Sequence, residues 1–269
     1  MKTLYFDLGM GAAGDMLTGA LLELMPDREA ALEQLNHLGL PHTQFSMERG
    51  SKCGISGTHI HVTVLGQEEQ PCQEEPRHEQ EHAHDLGHSH HHDHGQEHHH
   101  SHTAMADIRQ TVQALSVSDA VKARVLEVYA RIAQAESLVH GVSVSEIHFH
   151  EVGTLDALAD ITAVCYLLEQ LSPEKIIASP VQVGFGKIRC AHGILPVPAP
   201  ATAQILLGIP IRAGDIPGEL CTPTGAALLR QFVSDFGPMP LMTVERIGYG
   251  LGQKDFPAAN CLRAMLGEG

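Results

Sequence analysis

Two histidines and three carboxylates lie within thirteen residues of one another, in the sequence HFHEVGTLDALAD that starts at His148. If its first residues form a strand, successive side chains point to opposite faces, so His148 and His150 point the same way. Glu151 follows them directly. Imidazole and carboxylate groups both bind divalent transition metals. The spacing therefore predicts a metal site in which His148 and His150 are ligands.

The residues that follow place two carboxylates on one face of a predicted helix. Thr154 is a suitable N-cap for a helix over 155–171. Asp156 and Asp160 are four residues apart on a face that continues with apolar side chains. A carboxylate that faces an apolar interior needs a partner, so we add both to the candidate metal ligands. The alternatives are that Asp156 serves only the helix dipole and that the histidines lie on an ordinary exposed strand.

A second candidate site lies near the start of the chain, where a predicted strand over 2–7 runs into the sequence GMGAAGD. Its glycines have the spacing G-x-G-x-x-G, which is typical of dinucleotide binding when a second strand follows. Residues 28–39 are helical in pattern instead, so we reject that assignment. Backbone amides at a helix N-terminus could still hold a phosphate or carboxylate, and a tight turn without ligand is the alternative. The candidate residues are Gly9, Gly11 and Gly14 for the anion, and Asp7 and Asp15 for a metal.

Thr222 and Thr224 mark a third candidate site. With Pro223 between them they open a predicted helix that runs to about Phe236. This helix start offers backbone amides and hydroxyls to an anion. A plain threonine cap followed by proline is the alternative interpretation.

Cys190 and His192 stand two residues apart and could face the same way. Thiolate and imidazole are soft and borderline ligands that nickel accepts well. Single cysteines and histidines more often serve packing or hydrogen bonding, so both interpretations stay open.

Residues 66–103 form an acidic, histidine-rich tract. They hold nine Asp or Glu against one Arg, and twelve of the chain's twenty histidines lie between His78 and His102. Such a composition cannot bury an apolar core, so we expect a disordered insertion. A dense set of imidazoles can hold several nickel, copper or zinc ions with little geometric selectivity. The candidate ligands in the tract are His90, His91, His92, His94, His98, His99 and His100.

Composition excludes several classes of protein. The chain has 269 residues, of which 43% are hydrophobic, and no run approaches the ~20 apolar residues of a membrane span. Asp7 and Asp15 interrupt the region where a signal peptide would be apolar, so we expect a cytoplasmic protein without membrane attachment. Six cysteines without a C-x-x-C spacing argue against a zinc ribbon or a disulfide framework. The net charge of -15 argues against nucleic acid as a partner.

The order of predicted elements indicates an α/β fold, with α+β as the alternative. Strands and helices alternate, while hairpins at 43–65 and near the end of the chain require antiparallel pairing. We therefore expect a mixed sheet flanked by helices. Residues 1–65 and 104–269 would form one domain, interrupted by the insertion at 66–103.

Five stretches together resemble one family: YFDLGMGAAGDML, HFHEVGTLDALADI, AHGILPVPAPAT, ELCTPTGAALL and GYGLGQKD. In this order, with a histidine-rich insertion after the first, they resemble the LarC family of nickel pincer cofactor biosynthesis proteins over nearly the whole chain. The resemblance implies a nickel(II) insertase, or cyclometallase, that acts on pyridinium-3,5-bisthiocarboxylic acid mononucleotide and completes the cofactor of lactate racemase.

The resemblance also implies CTP as a co-substrate, with Mg or Mn. Longer members of the family carry a further C-terminal domain to which CTP binding is attributed, and that domain would begin about where this chain ends. We therefore expect the C-terminal LarC part as a partner, and lactate racemase apoprotein and a second copy of the chain as further partners. Forming a nickel–carbon bond requires loss of a ring proton, for which Glu151 or His192 is the candidate base.

Two other functions compete with this interpretation. In a non-catalytic nickel store or chaperone, the histidine-rich tract would be the whole function, but such a protein has no need of the ordered HFHEVGTLDALAD sequence. A metal-dependent hydrolase of phosphate compounds that uses Asp7 and Asp15 would explain the first motif but not the tract.

Overall fold

The computed structural model describes residues 1–68, 103–149, 151–190 and 193–269, apart from the side chains of His148 and Glu151. Within these ranges an eight-stranded mixed sheet consists of β1 (Lys2–Asp7), β2 (Thr43–Lys52), β3 (Ile55–Val64), β4 (Gln67–Glu68), β7 (Lys175–Ala178), β14 (Asp235–Phe236), β15 (Thr243–Leu251) and β16 (Cys261–Glu268). The strand order is β14-β7-β1-β16-β15-β3-β2, with β4 paired to β3.

Short strand pairs lie outside this sheet. They join β5 (Thr103–Ala104) to β6 (His148–Phe149), β8 (Val181–Gln182) to β12 (Ile211–Arg212), β9 (Gly184–Phe185) to β13 (Gly218–Glu219), and β10 (Lys187–Cys190) to β11 (Gly193–Pro196). The helices are α1 (Gly14–Glu23), α2 (Arg28–Asn36), α3 (Met105–Ala114), α4 (Asp119–His140), α5 (Leu155–Leu171), α6 (Pro200–Ile205) and α7 (Pro223–Phe232).

The sheet contains both strand directions. β1 pairs parallel with β7 and antiparallel with β16, and β2 and β3 form the antiparallel hairpin. Strands from both sides of the histidine-rich tract therefore enter one sheet. The predicted mixed sheet flanked by helices is confirmed. The predicted division into a domain and a disordered insertion stays a prediction, because residues 69–102 lie outside the described part.

The main core lies between one face of this sheet and the helices. Leu4 and Phe6 of β1 point into it, whereas Tyr5 between them belongs to a small cluster on the opposite face. Helix α5 is buried along almost its whole length and packs against α1, α4 and α7. Helix α1 lies directly on β15, where a Cβ on Gly250 would come within 1.8 Å of the Met16 carbonyl oxygen. The first two glycines of the GYGLG sequence, Gly248 and Gly250, thus serve the close approach of helix and sheet.

One predicted boundary is wrong. The helix that starts after Thr222 ends at Phe232 and does not reach Phe236. The reason is tertiary, because Asp235 and Phe236 leave the helical path to pair as β14 with β7 at the edge of the sheet. Among the residues described, none of the helices combines the length and the apolar character that crossing a membrane requires.

Candidate functional site

The predicted histidine motif leads into helix α5 as expected. His148 and Phe149 form the short strand β6, and Glu151–Gly153 make a tight turn of 3₁₀ helix before the helix begins. The Thr154 hydroxyl accepts a hydrogen bond from the Ala157 N–H at 3.3 Å, so the predicted N-cap is confirmed. The side chains of His148, His150, Glu151 and His192 lie outside the described part of the chain. Their metal and base roles therefore stay predictions.

Asp160 lies against the glycine loop. Only 9% of its surface is exposed, and a Cβ built on Gly14 would lie 2.3 Å from its Oδ2 atom. A side chain at position 14 would thus displace this carboxylate. Asp156, one turn earlier, is half-buried. The packing of α1 on α5 brings together two motifs that are almost 150 residues apart in sequence (160 - 14 = 146).

The Thr222 motif lies beside the same loop. The Thr222 N–H donates to the Ala12 carbonyl at 3.1 Å, and the Ala12 N–H donates to the Leu220 carbonyl at 3.0 Å. A Cβ on Gly225 would come within 2.2 Å of the Ala12 carbonyl oxygen. The two predicted anion sites therefore adjoin each other.

The hydroxyls at the start of α7 are already linked. The Thr222 hydroxyl accepts from the Gly225 N–H at 3.1 Å, which confirms its capping role, and lies 3.0 Å from the Thr224 hydroxyl. Gly11 has a φ of 81°, and a Cβ there would come within 1.9 Å of the Leu220 carbonyl oxygen. A glycine at position 11 is thus required by the turn itself, whether or not an anion binds.

Asp7 and Asp15 have other hydrogen-bond partners in the part of the chain that the structure describes. Asp7 accepts from the Arg263 guanidinium at 2.6 Å and from the Gly9 N–H at 3.2 Å. Burial raises the pKa of Asp15 to about 6, against the lowering effects of a hydrogen bond from the Met16 N–H and of nearby His61. The structure does not bring either residue together with Asp156 and Asp160 as one group of ligands.

A cleft of about 110 Å³ opens next to the HFHEVG motif. Phe149 and Val152 form part of its wall, and Pro223, the residue after Thr222, forms another part. The polar side chains of the lining are those of Glu136, His140, Cys190 and Glu219. On α4 the Glu136 carboxylate lies 3.3 Å from His140 Nε2. The cleft thus borders on three of the sequence motifs and presents carboxylate, imidazole and thiol groups.

Sequence reasoning missed three of these lining residues. Glu136 and His140 are four apart on α4, a spacing that could have been noticed, but nothing in the sequence indicates which helix faces the motif. Glu219 precedes the TPT motif and offers no signal beyond its position. Within the part of the chain that the structure describes, no group of three or more His, Cys, Asp or Glu side chains could hold a metal ion.

Comparison with known proteins decides the family. The family model described as "Nickel insertion protein" matches residues 4–269. The chain belongs to the nickel insertion protein family. The resemblance found in the sequence is thereby confirmed. No solved structure matches the chain.

Individual members of the nickel insertion family are similar over the whole chain. A "Pyridinium-3,5-bisthiocarboxylic acid mononucleotide nickel insertion protein" of Desulfitobacterium hafniense (strain DSM 10664 / DCB-2) is 39% identical over 268 residues, which are 100% of this chain and 59% of that protein. A protein of the same name from Clostridium kluyveri is 40% identical over 269 residues, 100% of this chain and 62% of that protein. The chain therefore spans about 60% of the length of these curated relatives.

Proposed function

We propose that this chain carries the metal-inserting part of a nickel insertion protein. Its substrates would be nickel(II) and pyridinium-3,5-bisthiocarboxylic acid mononucleotide, the compound in the names of its relatives. The product would be the nickel pincer cofactor of lactate racemase. CTP with Mg or Mn would be bound by the C-terminal LarC part, and the reaction would take place in the cytoplasm.

The observation that carries this proposal is the contact between Gly14 and Asp160. It links the glycine loop, a candidate for the phosphate of a mononucleotide, to a helix that carries candidate nickel ligands. Phosphate and metal are the two features that this substrate pair presents. A store for nickel would require neither the loop nor its position against Asp160.

Nickel would be held before transfer by His148, His150, Asp156 and Asp160. Imidazole and carboxylate groups are borderline and hard ligands, so an ion bound by them can pass to the two softer thiocarboxylate sulfurs of the substrate. The transfer forms a nickel–carbon bond and breaks the ring C–H bond. The proton would go to Glu151 or His192, and the electron pair of the C–H bond becomes the nickel–carbon bond.

The phosphate would lie at the loop Gly9–Gly14 and at the start of α7. Backbone N–H groups at two helix N-termini favour an anion, and Thr224 adds a hydroxyl. Arg212 supplies a positive charge, since its guanidinium lies 3.7 Å from the position of a Cβ on Gly9. The pyridinium ring would then lie in the cleft beside Phe149 and Glu219.

Deletion of residues 69–102 tests this proposal against nickel storage. The deletion leaves β4 and β5 in place, including the hydrogen bond of 2.7 Å between His61 and Glu68. With the C-terminal part, CTP and the mononucleotide supplied, an insertase still forms the nickelated product, which mass spectrometry detects as gain of nickel and loss of a proton. A store would lose its function with the tract. Absence of product from both the full chain and the deletion variant would contradict the proposal.

A further inference from the structure

Tyr129 is a buried tyrosine directly behind the HFHEVG motif. It lies on α4, and its side chain has no exposed surface. Its ring meets the ring of Phe149 edge to face, with 5.8 Å between the centroids and 63° between the planes. Phe149 is the residue between the two predicted histidine ligands. The position of Tyr129 is therefore fixed relative to the strand that would carry them.

The hydroxyl of Tyr129 has no hydrogen-bond partner among the residues that the structure describes. Burial costs such a group free energy, and phenylalanine would keep the ring packing without that cost. Helix α4, which carries Tyr129, packs against α5, which carries Asp156 and Asp160. The pKa of Tyr129 is raised first by burial and then by the charges of Asp160 and Asp156. A buried donor without a partner, on a helix that packs against the helix of two candidate metal ligands, points to a role in the site, because packing alone does not require the hydroxyl.

We propose that Tyr129 is a positioning residue of the nickel site, which donates a hydrogen bond to the carboxylate of Asp160. A phenol O–H is a donor, and an ionised carboxylate can only accept. This hydrogen bond would form in the nickel-bound state, because the hydroxyl has no partner among the described residues in this structure. Partners that orient a metal-binding side chain in this way change metal affinity substantially when they are removed. The inference rests on the proposed function only in taking Asp160 as a nickel ligand.

The test is nickel retention by the full chain, measured without the mononucleotide against a series of competing chelators. Asp160→Asn first identifies the nickel ion whose retention depends on Asp160, apart from ions held by the histidine-rich tract. Tyr129→Phe is expected to lower the affinity for that same ion roughly 10-fold or more. Tyr166→Phe is the matched control, because its hydroxyl bonds Gln34 at 2.6 Å on the exposed side of α5, and no change is expected.

The double variant decides whether Tyr129 acts through Asp160. If it does, Tyr129→Phe combined with Asp160→Asn retains nickel as poorly as Asp160→Asn alone. If the losses of nickel affinity in the two single variants multiply in the double variant, Tyr129→Phe causes a general packing defect and the proposal is overturned. Wild-type nickel retention by Tyr129→Phe or by Asp160→Asn would also overturn it. The unfolding temperature of Tyr129→Phe is expected not to fall, because the variant removes an unpaired buried hydroxyl.

Cofactor formation by the wild-type chain is measured separately. A wild-type chain that forms no cofactor contradicts the proposed insertion. The coupling between Tyr129 and Asp160 is measured by nickel retention alone, so its result does not depend on cofactor formation. The two failures are therefore distinguishable.

Discussion

Gly14 and Asp160 are in such close contact that the first residue of α1 leaves no room for a side chain. A Cβ on Gly14 would lie 2.3 Å from Oδ2, 2.5 Å from Cβ and 2.6 Å from Cγ of Asp160. The glycine at this position therefore sets where the carboxylate stands. The third glycine of a sequence that looks like a nucleotide fingerprint has, in this fold, a role next to the candidate metal site.

Gly14→Ala should accordingly disturb both stability and nickel binding. The added methyl group must push Asp160 aside, and such overpacking typically costs about 1–3 kcal/mol of unfolding free energy. We expect a lower midpoint in urea and weaker nickel retention. Gly237→Ala is the matched control, since a Cβ there meets no atom within 4 Å, and it should change neither quantity. Wild-type behaviour of Gly14→Ala would mean that Asp160 is not held by this contact.

Arg212→Ala tests where the phosphate binds. If the guanidinium beside Gly9 contacts the phosphate, its removal should raise KM for the mononucleotide roughly 10-fold, because a charged hydrogen bond contributes about 1.5–3 kcal/mol. Nickel retention should not change. Arg28→Ala, which alters an exposed arginine in the first turn of α2, should leave KM unchanged. An unchanged KM in Arg212→Ala would remove the loop at Gly9 from the substrate site.

Asp15 should give the folded protein a characteristic pH dependence. Burial raises its pKa to about 6, so the folded state binds this proton more tightly than the unfolded state does. The stabilisation from Asp15 is therefore present at low pH and is lost as the pH rises from about 4 through 6.

The measurement compares the unfolding free energy of the wild type with that of Asp15→Asn at several pH values. The difference should fall by on the order of 2 kcal/mol between pH 4.5 and 7.5. Asp119→Asn, at an exposed carboxylate in the first turn of α4, serves as control. A difference that does not vary with pH for Asp15→Asn would show that this carboxyl is well solvated.

Local signals in the sequence were sufficient for most of the elements. The cap at Thr154 and the hairpin of β2 and β3 each depend on neighbouring residues, and the structure confirms both. The end of α7 could not be predicted, because β14 forms only when β7 is beside it.

The contacts within the candidate site likewise could not be predicted from local sequence signals. The contact of Gly14 with Asp160 arises from the packing of α1 on α5, which no local pattern encodes. No pattern in the sequence singles out Tyr129. Its relation to Phe149 and to the carboxylates becomes visible only when α4 and α5 are packed together.

The central claim is that residues 148–160 hold a nickel ion that is then transferred to the substrate. It is tested most directly by measuring nickel retention and cofactor formation side by side in four variants of the chain that lacks residues 69–102. His150→Ala and Asp160→Ala should each weaken nickel retention about 10-fold for every ~1.4 kcal/mol of lost ligand interaction. Glu151→Gln and His192→Asn should both keep nickel bound. The substitution that removes the base should slow insertion by roughly 100-fold or more. Insertion at the wild-type rate in all four variants would contradict the account and make this stretch purely structural.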